Sequence, residues 1–281
     1  MDYMLWNGRI VPKGEVRVDP EDRGYQFGDG VYEVIRVYHG NLFAEAEHFT
    51  RLERSLKELR IPFPYSLEKL SRQVNELVRL EKLEEGIIYL QVTRGTAPRA
   101  HAFPQEAEAN VIAYASPYPR PVDTIVNGGS AILAEDIRWL RCDIKSINLL
   151  GNVLAKQAAK EAGALEAILH RGKTVTEGSS SNLFMVKEGK LFTHPLNSLI
   201  LNGITRQVVV KLAHQLKIPL VEETFTIDQL FAADELFITS TTNEITPILT
   251  VDGKKIGHGV PGVISRQLQE AFERRIALLK A

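Results

Sequence analysis

Lys145 stands in the run Cys142-Asp143-Ile144-Lys145-Ser146. Lysine is the side chain whose amine turns into a nucleophile or imine-forming group when its surroundings strip its charge. Most lysines are solvated and do neither. Here Ile137, Trp139, Leu140, Ile144 and Ile147 flank the position, so the segment is expected to be mostly buried, and a buried lysine is costly unless paired or neutral. Downstream, Thr176-Glu177-Gly178-Ser179-Ser180-Ser181-Asn182 sets an acid ahead of a glycine and three hydroxyls, just before the apolar Leu183-Phe184-Met185-Val186. The stretch reads either as a flexible polar turn or as a ligand loop. In the second case glycine lets the backbone approach, hydroxyls bond a phosphate, and Glu177 pairs with a cationic ring nitrogen.

Other segments admit the same two readings. Leu201-Asn202-Gly203-Ile204-Thr205-Arg206 precedes a helical pattern. Gly203 permits a tight turn, Thr205 is a candidate N-cap, and a helix N-terminus favours an anion. Ser240-Thr241-Thr242 follows a strand and offers a further hydroxyl cluster. Arg99-Ala100-His101 places two donors at i, i+2, on one face of an extended backbone, where they suit a carboxylate or form a solvated basic loop. Arg23 to Glu33, rich in glycine, reads as a turn before a strand; it lacks the Gly-Lys-Ser/Thr of a Walker loop.

The elements that must hold these residues follow from periodicity. Asn7-Gly8 between two short apolar runs signals a hairpin. Val31–Tyr38, Ile87–Thr93 and Val111–Ala115 read as strands, and Phe49, Leu52, Leu56 and Leu59 mark an amphipathic helix over 45–60. Leu67–Leu83 gives a second helix. Beyond the proline-rich Ser116–Val122, helices are expected over 149–162, 205–216 and 262–279, with strands at 167–170, 184–186, 190–193 and 235–239. The expected architecture is α+β or α/β in two domains, 1–116 and 124–281, joined by a linker over 117–123; the second would carry Lys145.

Composition narrows the function classes. A net charge of -1 gives no reason to expect nucleic acid or an anionic membrane as partner. The single cysteine, Cys142, forbids an internal disulfide and a cysteine-rich metal site, and fits a cytoplasmic protein. No apolar run approaches the ~20 residues of a membrane helix, and the opening residues do not read as a secretory signal.

Together the segments resemble the fold-type IV class of pyridoxal-phosphate enzymes, and within it the D-amino acid aminotransferases. The resemblance spans essentially the whole chain. It is most specific at Tyr25–Glu33, Arg94–His101, Asp136–Lys145 and Thr176–Asn182. It implies a two-domain fold-type IV architecture with pyridoxal 5'-phosphate as cofactor, and Lys145 as the Schiff-base lysine and proton shuttle. Glu177 is implied as partner of the pyridine nitrogen. Arg51, Ile204, Thr205 and Thr241 would hold the phosphate, Leu201 would support the ring, and Ser180 would lie near the cofactor. Tyr32, Arg99 and His101 match the family's trap for the substrate carboxylate. In that family the Arg-His pair comes from the neighbouring subunit, so a homodimer is implied.

Those roles imply ping-pong transamination between D-amino acids and 2-oxo acids. Lysine ordinarily titrates at about 10.4, so base work near neutrality calls for a depressed value, which burial and a cationic cofactor favour. Chirality follows from the carboxylate's position: exchanging it with the side chain presents the other hydrogen to a lysine fixed on one face. L-branched-chain aminotransferases share this fold and lack the Arg-x-His pair. They and aminodeoxychorismate lyase are the alternatives within the class, and a non-catalytic binding relative is the alternative outside it.

Overall fold

The computed structural model describes residues 1–280. Its contacts fall into two units. The first gathers Met1–Pro119, Ile144–Asn148 and residues 279–280; the second gathers Arg120–Asp143 and Leu149–Leu278. Lys145 therefore sits with the first unit, although it lies beyond the proline-rich stretch in sequence.

The first unit opens on a hairpin of β1 (Tyr3–Trp6) and β2 (Arg9–Pro12). Asn7 and Gly8 close it at φ 45° and 77°, the doubly left-handed turn that matches strand twist. The stretch expected as a turn instead forms α1 (Arg23–Phe27), with the Asp22 carboxylate accepting from the Gly24 N–H and left-handed Gly28 ending it. Then come β3 (Gly30–Tyr38), β4 (Asn41–Leu42), α2 (Glu45–Glu58), α3 (Leu67–Leu80), β5 (Glu85–Thr93) and β6 (Asn110–Pro117). The strands pair in the order β2-β1-β6-β5-β3-β4, every pair antiparallel.

Alternation decides which face of this sheet is core. Val31, Ile35 and Val37 of β3, Ile88, Leu90 and Val92 of β5, and Val111 and Ala113 of β6 join one cluster with Phe49, Leu52 and Leu56 of α2 and Leu70, Val74 and Leu77 of α3. The helical residues recur at three- and four-residue spacing, one stripe per helix. Each fully buried leucine of this kind contributes about 2 kcal/mol. The alternate positions carry Tyr32, Tyr89 and Tyr114, whose rings stack in series at 5.9 and 5.1 Å.

The second unit runs α4 (Val122–Asn127), β7 (Gly129–Glu135), α5 (Leu150–Glu161), β8 (Glu166–Arg171), β9 (Thr174–Gly178), β10 (Asn182–Lys187), β11 (Lys190–Thr193), α6 (Ile204–Gln215), β12 (Leu220–Glu222), α7 (Ile227–Phe231), β13 (Glu235–Ser240), β14 (Glu244–Val251), β15 (Lys254–Lys255) and α8 (Val263–Ala277). The sheet order is β12-β11-β10-β13-β14-β7-β8-β9, with β15 on β14. Pairing is mixed: β11–β12, β14–β7 and β7–β8 are parallel. Strands β10 and β13 are buried almost throughout, which explains their unbroken apolar runs. Leu183, Met185, Leu236 and Ile238 feed one core with Leu230 of α7, while Phe184 and Phe237 stack at 5.1 Å. No helix among the described residues is long and apolar enough to cross a membrane.

Candidate active site

Lys145 is positioned by backbone. Its carbonyl accepts from the Tyr32 N–H at 3.0 Å, and Ile147 N–H donates to the Gly30 carbonyl at 3.0 Å, so the segment pairs with the start of β3. The Ser55 hydroxyl of α2 accepts from the Lys145 N–H at 3.3 Å. The Nζ then lies 4.1 Å from the centre of the Tyr32 ring, a cation–π distance. Burial of the neighbouring segment is only partial. Ile144 and Cys142 are buried, whereas Ile137 and Leu140 are 63% and 64% exposed. The expectation of a mostly buried run fails there because the chain turns its charges inward: the Asp136 and Arg138 side chains occupy the interior, and Ile137, Trp139 and Leu140 point out.

Behind Lys145, three polar side chains whose contact with one another the sequence does not announce form a buried cluster. Glu33 accepts from Arg51 Nε at 2.8 Å and NH2 at 2.7 Å, and lies 2.7 Å from His48 Nδ1. Burial alone would raise the Glu33 carboxyl, but the Arg51 charge and the bonds from Arg51 and His48 hold it down at about 2. Burial and the Arg51 and Lys145 charges lower the His48 imidazole, against the pull of Glu33. Arg51 is thus fixed in direction by a two-point clamp before it meets any ligand.

Arg99 and His101 share one support, as their i, i+2 spacing suggested. The Arg99 guanidinium lies 5.0 Å from the Phe27 ring centre and the His101 ring 5.7 Å from the same ring. Both side chains are exposed. The loop is tied down by Arg23, which donates to the Ala100 carbonyl at 2.6 Å and to Asp29 at 2.8 Å. Arg94 bridges the same Asp29 and the carbonyls of Leu59 and Arg60.

In the second unit, Glu177 is the penultimate residue of β9 and a buried carboxylate with three donors. Arg138 reaches one oxygen at 2.6 Å, and Asn182 Nδ2 and the Leu201 N–H reach the other at 2.8 and 3.0 Å. Burial outweighs these donors and pushes Glu177 up to about 7. Asn182 also donates to the Leu201 carbonyl at 2.8 Å. Gly203 is needed beside it, since a Cβ there would strike the Asn182 amide oxygen. One short run therefore links Glu177, through Leu201, to the N-terminus of α6. That terminus is capped by Gly203 without any side-chain bond; Thr205, expected as a cap, is the second helical residue. A twelve-residue helix with uncapped N–H groups fits a phosphate, and a buried acid at the other end of the run fits a ring nitrogen. Thr241 lies in the turn between β13 and β14, where the Ser240 hydroxyl accepts from the Asn243 N–H.

The serine turn differs from its ligand-loop reading. Ser179 and Ser181 donate to the carboxylate of Glu166, which is wholly buried, and Ser180 lies 3.4 Å from it. The hydroxyls of Ser179 and Ser181 thus have a protein acceptor, and Ser180 is the exposed member. The sequence reading also missed Asp136, Arg138 and Asn182 as individuals, although the alternation of Asp136 and Arg138 with apolar residues was a visible signal.

Solved structures share this fold along nearly the whole chain. A branched-chain amino acid aminotransferase from Escherichia coli matches with TM-score 0.93 at 30% identity, over 97% of this chain and 94% of that one. The branched-chain amino acid aminotransferase of Thermobaculum terrenum, solved in its PLP-form, matches at TM-score 0.87 and 29% identity, over 98% and 94%. The fold is that of the type IV pyridoxal-phosphate aminotransferases. Residues 30–251 match the amino-transferase class IV family, and the chain belongs to it; the family's cofactor is pyridoxal 5'-phosphate. By sequence, the D-alanine aminotransferase of Staphylococcus aureus (strain N315) is 52% identical over 98% of both chains. That of Bacillus licheniformis is 50% identical over 97% of this chain and 96% of its own.

Proposed function

We propose that this enzyme transfers the amino group of D-amino acids, of the D-alanine and D-glutamate type, to 2-oxo acids in a ping-pong reaction. The observation that carries the reading is the pairing of an amine-bearing Lys145, held against Tyr32, with the Arg99-x-His101 pair seated on Phe27. About 50% identity to D-alanine aminotransferases over the full chain supports it.

Bound pyridoxal phosphate supplies an electron sink for the bonds at the substrate α-carbon. Lys145 would hold the cofactor covalently, and its amine would carry the α-proton as base and then acid. Glu177 would pair with the ring nitrogen, and Leu201, tied to Glu177 by its N–H, would support the ring. Arg51, Thr205, Thr241 and the N–H of Ile204 take the phosphate, and Ser180 lies near the cofactor. Tyr32, Arg99 and His101 bind the substrate carboxylate, which selects the D-enantiomer.

The assembly we propose is a homodimer in which each subunit lends its Arg99 and His101 to the other. Exposure of both residues fits that role. So does the apolar surface of Ile137, Leu140, Leu150, Val153 and Leu154, all more than half exposed in the single chain. The compartment we propose is the cytoplasm, in keeping with one buried, unpaired cysteine. For folding we propose a division along the sequence at 117–123. Within it Pro117 closes β6 and Pro121 directly precedes α4.

The test is turnover of D-alanine against L-leucine with 2-oxoglutarate. Arg99→Ala is expected to cut D-alanine turnover far more than cofactor binding. Preference for L-leucine, or equal loss of turnover and cofactor, overturns the reading; pyruvate released from aminodeoxychorismate without an amino acceptor points to the lyase instead.

A further inference from the structure

Glu177 does not stand alone: its charge is set by a chain of alternating acids and guanidiniums inside the second unit. Arg138 divides its fork between two acids. Nε and NH2 take the two oxygens of Asp136 at 2.8 and 2.9 Å, and NH1 takes Glu177 at 2.6 Å. NH2 also donates to the Leu199 carbonyl at 3.2 Å. Asp136 is closed off by Arg171 Nε at 3.2 Å and the Thr176 hydroxyl at 3.1 Å. Arg171 in turn donates to the Arg138 carbonyl at 2.9 Å. The side chains of Asp136, Arg138 and Glu177 are all nearly or wholly excluded from solvent. Gly151 at the start of α5 packs against the Arg138 stem, where a Cβ would lie 3.1 Å from Cγ. The guanidinium is held by its bonds to Asp136, Glu177 and the Leu199 carbonyl.

We propose that Arg138 is a positioning residue for the cofactor's ring nitrogen: clamped by Asp136, it keeps the Glu177 carboxylate anionic and aimed, so that the proton of that pair resides on the ring. The inference rests on the reading of Glu177 as the nitrogen's partner. Its physics is a competition for one proton. A guanidinium 2.6 Å from a carboxylate oxygen lowers that oxygen's proton affinity directly, whereas a ring nitrogen bound across the carboxylate would lie farther from the guanidinium and be disfavoured less as a cation. Burial works in the opposite direction, and so does Asp136, by neutralising Arg138. The Asn182 amide and the Leu201 N–H are neutral donors that fix direction without supplying charge. Removing Arg138 therefore leaves a buried acid with neutral donors only, the setting in which carboxyls keep their protons.

The experiment is nitrogen NMR of holoenzyme loaded with cofactor labelled at the ring nitrogen, followed from pH 6 to 10. The wild type, Glu177→Gln, Arg138→Gln and Arg138→Lys are compared, with thermal melting run on each. The wild type is expected to keep the ring proton across the range. Arg138→Gln is expected to lose it with a midpoint at least one pH unit lower. Arg138→Lys, one charge without the fork, falls between and serves if the glutamine variant does not fold. A ring nitrogen that titrates as in wild type in Arg138→Gln and Arg138→Lys, while Glu177→Gln shifts it, overturns this proposal alone. No shift in Glu177→Gln overturns the underlying assignment of Glu177.

Discussion

Replacing Glu33 by glutamine tests the buried cluster on which the aim of Arg51 depends. The carboxylate is wholly buried and accepts both Nε and NH2 of Arg51. Holding it at about 2 against an ordinary 4.5 contributes about 3 kcal/mol of stability at neutral pH. Glutamine keeps the shape and removes the charge, leaving Arg51 buried without its counter-ion, a change that costs about 3–5 kcal/mol when a buried pair is broken. The two routes agree on a loss near 3 kcal/mol. The pH dependence has a definite sign. A carboxyl whose folded value is depressed stabilises in full above its unfolded value and loses that contribution as pH falls through the folded one. The gap between wild type and Glu33→Gln in urea unfolding is therefore greatest at pH 7, roughly halved at pH 3 and vanishing below pH 2. Arg51→Gln added to Glu33→Gln is expected to cost less than the sum, because the orphaned charge has gone. A single variant within about 1 kcal/mol of wild type at pH 7, or a gap that does not change between pH 7 and 3, refutes the account.

Glu177 carries the opposite sign. Burial raises it to about 7, so protein stripped of cofactor should lose stability as pH rises from 4.5 through 7, and Glu177→Gln should flatten that slope in melts taken across the range. Gly95→Ala should destabilise the fold by about 2 kcal/mol or more and lower the melting temperature markedly, since its φ is 97° and a Cβ would collide with the Glu108 carbonyl; an unchanged melt would show that the loop yields freely. Glu166→Gln should speed amide exchange at Ser179–Ser181, because a neutral amide holds one fewer acceptor for their hydroxyls; protection equal to wild type would remove Glu166 as the anchor. Leu140→Glu should shift the species seen by light scattering from dimer to monomer, and a persistent dimer would place the interface elsewhere.

What the sequence made legible is what periodicity encodes. The stripe of Phe49, Leu52 and Leu56 gives α2, and Asn7-Gly8 gives the first hairpin, because both depend on neighbours a few residues away. α1 escaped because five residues containing a glycine carry too little periodicity, and its stability comes from the Asp22 cap and the Arg23 anchor on Asp29. Lys145 could be singled out by its residue type, but its seat on β3 joins residues more than a hundred positions apart. The serine turn misled for the same reason. Nothing in Ser179-Ser180-Ser181 announces that Glu166, on the preceding strand pair, accepts from the hydroxyls of Ser179 and Ser181.

The two buried acids show how the same ingredients produce opposite behaviour. Glu33 and Glu177 are both carboxylates in contact with one arginine, and both lose nearly all their water. Glu33 receives Arg51 through two nitrogens and His48 on one of the same two oxygens, so attraction exceeds the cost of burial and it remains an anion. Glu177 receives Arg138 through a single nitrogen, because the remainder of that fork is committed to Asp136. Its attraction falls short of the burial cost and its proton becomes available near neutrality. An acid of the first kind is a fixed strut, suited to holding still an arginine such as Arg51, for which we propose a phosphate partner. An acid of the second kind is poised to change state when a cationic ring nitrogen arrives, since the incoming charge supplies the attraction that Asp136 withholds. On this reasoning the number of guanidinium contacts, rather than burial, separates the structural carboxylate from the functional one.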